Sequence, residues 1–270
     1  MFKTVTRSFR SYADATCSNF LPRSTPNMII IREALSQDLH SRLGYSDQRP
    51  LLNILKETNA KIDKFAPEYA ISGLVWSLDF FLGQFNNRHG SQNLKSIVEG
   101  SRIDAMIKTS FKGGFAQLQS MLINHATSFL GGGWTWLLVD LSKRGLDGTP
   151  KLIITNTFDC DVPLFENQQR NDTTSNDNAF SVISTKTTSL LDLLGKSLSH
   201  SPASTIFAND DTYAIRFLPL FCINLWEHAW IADFLPKIDL NRHSFKKAKE
   251  LYVNECLKNL NWDRIESIWP

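Results

Sequence analysis

The segment Asn224-Leu225-Trp226-Glu227-His228 carries residue types that do metal chemistry, at a recognisable spacing. The metalloprotease pattern H-x-x-E-H places two imidazoles and a carboxylate base together, but here asparagine stands at the first histidine position. A zinc ion is left without its pair of nitrogen ligands. The other histidines, His40, His89, His125, His200 and His243, show no i, i+4 pairing. Gly131-Gly132-Gly133 would cradle a phosphate if a strand preceded it and a helix followed. The order here is helix, glycines, strand, so these glycines are expected to end a helix and turn the chain. No G-x-S-x-G elbow occurs, and Cys17, Cys160, Cys222 and Cys256 form no CxxC pair. Those four read as reduced thiols and not as a disulfide frame or a zinc knuckle.

The elements that must position these residues follow from the apolar periodicity. In 28–64, Ile30, Ile31, Leu35, Leu39 and Leu43 recur at helical steps; a break from Gly44 to Pro50 follows, and Leu51–Phe65 resumes the helical pattern. Glu68–Phe85 is apolar almost all round, as a buried helix is. Residues 86–101 read as a loop, and Ile103 to Leu122 marks one long amphipathic helix ended by the glycines. The period then changes. Trp134–Val139 reads as a strand, Lys151–Phe158 as its hairpin partner and Thr212–Asn224 as a third strand. Helical character returns at Leu225–Phe234 and Ser244–Asn261. The stretch 166–211, mostly Ser, Thr, Asn and Asp with a cluster at Leu190, Leu191, Leu193 and Leu194, reads as an insertion with at most one short helix. The expected class is α+β, with a helical hairpin at 27–100 followed by an α/β part at 101–270 that holds a three-stranded antiparallel sheet framed by helices.

Composition narrows the function classes. The 270 residues hold 29 Lys+Arg against 27 Asp+Glu, a net charge of +2 that gives no argument for nucleic-acid binding from composition alone. With 42% hydrophobic residues, 18 Phe and 7 Trp, an aromatic core is expected and wholesale disorder is excluded. No apolar run is long enough to cross a membrane. The first dozen residues carry Lys3, Arg7 and Arg10 with no acid before Asp14, interleaved with Phe2, Val5, Phe9 and Tyr12. An acid-free, basic and amphipathic start is the pattern of a mitochondrial presequence, taken here as 1–26 with cleavage somewhere before Asn27. The alternative is an ordinary basic N-terminus.

Four stretches, in order, resemble the iron/manganese superoxide dismutases. Leu225-Trp226-Glu227-His228-Ala229-Trp230 is similar to that family's D-V-W-E-H-A-Y-Y signature. Phe111–Val139 resembles its Phe-containing helix followed by G-S-G-W-x-W-L; Asp159–Leu164 resembles N-Q-D-x-P-L, and Leu260–Ile265 resembles I-N-W-x-x-V. The resemblance covers about residues 66–265 apart from the insertion. It implies a helical hairpin followed by a small mixed domain, the same layout that the periodicity predicts.

The resemblance also implies that the family's catalytic centre is gone. That family holds one metal with three histidines and an aspartate. Asn224 stands at the aspartate, Leu78 at the histidine of N-H-S-x-F-W, and Cys160 at the outer-sphere glutamine of the manganese enzymes. The first histidine has no match; His40 is the nearest candidate, and its spacing to Leu78 is too short. A neutral amide and a hydrocarbon do not hold a trivalent ion, so only His228 survives. No cofactor is expected, and no catalysis.

The glutamate of W-E-H reaches across the family's dimer to the partner's histidine, so Trp226, Glu227 and His228 are the expected partner interface. The alternative is that Glu227 is paired locally and His228 is a satisfied core histidine. Metal-less members of the family are proteins of the mitochondrial small ribosomal subunit, where two such chains pair. The expected function is therefore structural, in the mitochondrial matrix, with a dismutase-like partner chain and ribosomal protein neighbours. Arg242, Lys246, Lys247 and Lys249 are candidate contacts to rRNA phosphates, or simply a solvated helix face. Two rivals remain open: an active dismutase with unusual ligands, and a metal-free matrix protein unconnected with ribosomes.

Overall fold

The computed structural model describes residues 20–44, 49–85, 99–144, 150–164, 217–238 and 244–268. The insertion at 166–211, the first dozen residues and Arg242 lie outside them. Among the described residues the fold is mixed α+β, with eight α-helices and a three-stranded antiparallel sheet.

Three helices open the structure: α1 (Ser24–Leu43), α2 (Leu51–Ala60) and α3 (Ile62–Gly83). Helix α1 has no side-chain cap from its own N-cap residue. Its first free amides are taken instead by Asp233, whose carboxylate accepts from Arg23 N at 3.1 Å and Ser24 N at 2.9 Å. A carboxylate at a helix N-terminus satisfies orphan donors and the positive end of the helix dipole together. Asp233→Ala is expected to lower stability by about 2 kcal/mol in chemical denaturation, with Asp233→Asn losing less. A loss below about 0.5 kcal/mol would mean that the cap is dispensable.

The predicted break between the second and third helical segments falls earlier than Pro67. Lys61 and Phe65 leave helical geometry (φ −127°, ψ 38° and φ −123°, ψ 32°), so Pro67 sits in the first turn after a kink. There it removes no needed hydrogen bond. Beyond the kink, α3 buries Val75, Leu78, Phe81 and Leu82. Asp79 on its flank receives Arg32 of α1 in a two-point pair, at 2.7 and 3.1 Å. Burial raises the Asp79 carboxyl, and the Arg32 guanidinium acts against that shift.

The long helix expected over 103–122 is two helices, α4 (Arg102–Ser110) and α5 (Gly114–Ser128). Phe111 is extended, and Gly114 has a φ of 59°, which interrupts the helix although the apolar spacing runs through. Strands β1 (Gly133–Arg144), β2 (Pro150–Phe158) and β3 (Phe217–Asn224) form the sheet in the order β2-β1-β3. Both pairings are antiparallel, with Trp134 opposite Thr157 on one side and Asn224 on the other. Alternation along β1 gives the sheet two covered faces. Trp136 meets Trp76 and Phe80 of α3 at ring separations of 5.8 and 5.7 Å. On the other face Thr135 donates to Asn156 Oδ1, and Asn156 Nδ2 donates to the His125 carbonyl of α5.

After β3 the expected helix over 225–234 is not continuous. A 3-10 turn at Glu227–Ala229 precedes a four-residue helix, α6 (Ile231–Phe234), and a second 3-10 turn at Leu235–Lys237. Trp226 is extended and Trp230 is non-helical, because both rings are turned to pack. Trp230 is 1% exposed, and its indole N–H donates to Leu225 O at 3.3 Å. Helices α7 (Ser244–Asn259) and α8 (Trp262–Ile268) close the chain, α8 starting under an Asn261 side-chain cap on Arg264 N. The core joins α1 and α3 to the sheet, α5, α7 and α8 in one apolar cluster. No helix among the described residues is long and apolar enough to cross a membrane.

Candidate functional site

Asn224, at the end of β3, meets the turn that follows it and helix α1. Asn224 is fully buried, and its two side-chain ends are used differently. Oδ1 accepts Trp226 N at 3.0 Å, which makes the local turn. Nδ2 points to the Sδ of Met28 on α1 at 3.7 Å, a weak N–H···S contact. Met28 is itself fully buried, and Leu78 of α3 is 2% exposed in the same apolar cluster. The 227–229 turn packs against α1. The groups in contact here are a thioether and an amide; Leu78 belongs to the same apolar cluster, and His228 follows four residues after Asn224.

That donor set does not fit a redox metal. Methionine sulfur suits soft ions, leucine has no lone pair, and the Asn224 amide is already occupied at both ends. Among the described residues no group of three or more His, Cys, Asp or Glu side chains is placed to hold a metal ion. Cys160 lies on the turn after β2, half-buried, with its backbone carbonyl against Gly73 of α3. Any side chain at position 73 would collide with that carbonyl. Burial and the neighbouring Asp161 push the Cys160 thiol up, and burial pushes Cys222 well up, so neither is an activated nucleophile.

Sequence reasoning did not single out Met28; it named His40 only as the nearest histidine, at too short a spacing. His40 is exposed, and its Nδ1 lies 2.6 Å from Ser36 O one turn earlier in α1. Twelve residues separate it from Met28, about 18 Å along the helix. A thioether at a buried helix position has no ligand signature to search for. The only pointer was the spacing, since the His40-to-Leu78 interval was too short and Met28 lies further upstream.

Trp226, Glu227 and His228 occupy the surface of the site. Trp226 is half-buried over Gly132, where a Cβ would collide with the indole. Glu227 is exposed; its carbonyl accepts Trp230 N at 3.3 Å, closing the turn. His228 is half-buried, 6.0 Å from Trp226 ring to ring, and its Nε2 is buried without a partner, as is Trp226 Nε1. Burial lowers the His228 pKa, with Glu227 acting weakly in the opposite sense.

A lowered histidine pKa has a definite sign in stability. The unfolded imidazole takes a proton near pH 6.5 and the folded one only at lower pH. Stability from this residue is complete above pH 6.5 and is lost as the pH falls from there toward the folded value, at no more than about 1.4 kcal/mol per pH unit. His228→Phe is expected to flatten that part of a stability-versus-pH profile. An unchanged acid limb would assign the titration to other groups.

The basic candidates divide. Lys246 and Lys247 are exposed on α7, whereas Lys249 is half-buried. Its Nζ donates to Phe129 O at 3.2 Å and lies 5.4 Å from the centre of the Trp230 ring. Burial lowers the Lys249 pKa, and its ammonium is engaged inside the fold. Lys249 is therefore corrected from a candidate phosphate contact to a packing residue. No family model matches the chain, and no curated protein matches it in sequence.

Proposed function

We propose that this chain is a non-catalytic structural protein of the mitochondrial small ribosomal subunit, built on a superoxide dismutase-like fold and paired with a second chain of that kind. One observation carries the reading: the buried Met28–Asn224 contact, in the core that also holds Leu78. On this reading Met28 stands in place of the first histidine, Leu78 of the second and Asn224 of the aspartate. Three substitutions of ligand by non-ligand, all at buried positions, support a scaffold and not an enzyme. A packed interior tolerates such replacement when volumes match and polar atoms find partners, as the Asn224 amide does.

The pairing surface on this reading is Trp226, Glu227 and His228, with an exposed carboxylate and a half-buried imidazole ready for a partner. Lys246 and Lys247 remain the basic pair available to rRNA phosphates; a net charge of +2 favours protein neighbours as the main anchor.

The test is sedimentation. A tagged chain from a mitochondrial lysate is expected to travel with the small ribosomal subunit on a sucrose gradient, free of iron and manganese, and to leave it when magnesium is withdrawn. A free dimer with stoichiometric metal would establish the enzyme instead. A free dimer without metal would make it a matrix protein apart from the ribosome.

A further inference from the structure

Strand β2 forms one edge of the sheet, since the order is β2-β1-β3. Its main-chain groups point by turns to β1 and to the outside. Leu152 N faces outward and donates to the Ser110 hydroxyl of α4 at 2.8 Å. Phe158 O also faces outward and accepts Asp161 N at 2.9 Å. The two-residue period of a strand then turns Ile154 and Asn156, between them, outward as well. Among the described residues, the main-chain N–H and C=O of Ile154 and Asn156 meet no hydrogen-bonding partner. The opposite edge of the sheet is closed at Cys222 of β3, whose outward N–H and C=O are both taken by the Gln84 amide.

An edge is commonly blunted by a charge, a proline or a bulge along its length. Ile153-Ile154-Thr155-Asn156-Thr157 has neither charge nor proline, and each of these residues is half-buried and not covered. Three of them are β-branched next to an isoleucine pair, residue types that favour a pleated, paired strand. Charges stand only at the two ends, Lys151 and Asp159, both exposed. A strand with a cation at one end and an anion at the other is complementary to an antiparallel copy of itself.

We propose that β2 pairs with β2 of a second copy of this chain, antiparallel about a twofold axis through Thr155. The two three-stranded sheets then join into one sheet of six strands. Ile154 N–H donates to the partner's Asn156 carbonyl, and the partner's Asn156 N–H donates to the Ile154 carbonyl; the axis repeats both bonds. Lys151 comes beside the partner's Asp159 at each end. Leu152 N and Phe158 O, already bonded within their own chains, face each other across the contact, so neither is left without a partner. Neighbouring registers do not work as well. An axis through Ile154 calls on Leu152 N, which Ser110 holds, and one through Asn156 calls on Phe158 O, which Asp161 N occupies. The pairing rests on neither the ribosomal nor the dismutase-like reading, and it uses β2 and not the turn at Trp226–His228.

Sedimentation equilibrium of the purified full chain, over a wide range of concentration, tests this. A reversible monomer–dimer equilibrium is the expected result. Lys151→Glu and Asp159→Lys each set like charges together at both ends of the contact, and each is expected to weaken the dimer roughly tenfold. Mixing the two variants restores both opposite-charge pairs and is expected to return mixed dimers of parental affinity. Thr155→Cys reads the register without relying on charge: oxidation by diamide is expected to link two chains through position 155, as peptide mapping would show, whereas Ile153→Cys is expected to stay unlinked at position 153. A parent chain that is monomeric at every concentration would overturn the proposal and leave the edge to an unlike strand or to water. A dimer that does not link through position 155, or that charge reversal leaves unchanged, would overturn it too and place the contact on another surface, such as the Trp226–His228 turn.

Discussion

Asn224→Asp alone is expected to destabilise this protein by about 3–5 kcal/mol, whereas the same change made together with Met28→His and Leu78→His is expected to bring in roughly one manganese or iron ion per chain. The single substitution puts a carboxylate at a fully buried position. One oxygen can still accept Trp226 N, but the other then faces the Met28 sulfur, which has no proton to give. The charge must be neutralised by protonation or left unpaired, and either route lowers stability near neutral pH. With histidines at 28 and 78, the aspartate becomes one of four possible donors together with His228. A bound ion then offsets its charge and stabilises the folded chain in proportion to ligand concentration. Urea denaturation of the single variant and metal analysis of the triple variant check the two halves. An Asn224→Asp protein as stable as the parent would show that the site is wetter than its burial implies. A folded triple variant that stays metal-free would show that the four positions do not converge, and would remove the dismutase-like reading with them.

Gln84→Met is expected to cost about 2–4 kcal/mol although it preserves side-chain length. Gln84 sits at the end of α3, 3% exposed, and its amide spans the backbone of Cys222 in β3. Nε2 donates to Cys222 O at 2.6 Å, and Oε1 accepts Cys222 N at 2.9 Å. The Gln84 carbonyl also accepts Asn261 N at 2.9 Å, so α3, the strand edge and the turn before α8 meet at one residue. Methionine fills the volume but leaves a buried N–H and a buried C=O at Cys222 without partners. Gln84→Glu keeps the acceptor and turns the donor into a second acceptor facing a carbonyl, so it is expected to be the worse of the two. Both are read by chemical denaturation. A loss under about 1 kcal/mol for Gln84→Met would mean that water replaces the amide at that edge.

The periodicity of single elements was legible in the sequence, and their interruptions were not. The aromatic and β-branched runs Trp134–Val139 and Lys151–Phe158, on either side of a turn-rich segment, led to a hairpin pairing that the structure contains. The 103–122 pattern concealed the break at Phe111–Gly114, since apolar spacing continues in phase across it. The 225–230 stretch looked helical by composition, yet Trp226 and Trp230 each leave helical geometry to place an indole. Helix α8 was absent from the periodicity because seven residues are too few to display one. The aromatic core was evident from composition alone, and Trp134, Trp136 and Trp230 are fully buried within it.

The candidate site divides along the same line. Sequence by itself determined the residue types at 78, 224 and 228, and the donor chemistry of leucine and asparagine does not depend on where they fold. Only the tertiary structure decided what Asn224 touches: Met28, 196 positions away, meets it through sulfur. It also decided that Lys249 turns inward under Trp230, that Asp233 caps a helix more than 200 residues away, and that Phe20 and Leu21 belong to the core. Each is a contact between elements remote in the chain, and such contacts depend on how helices and strands pack against each other, which no local pattern of residues encodes.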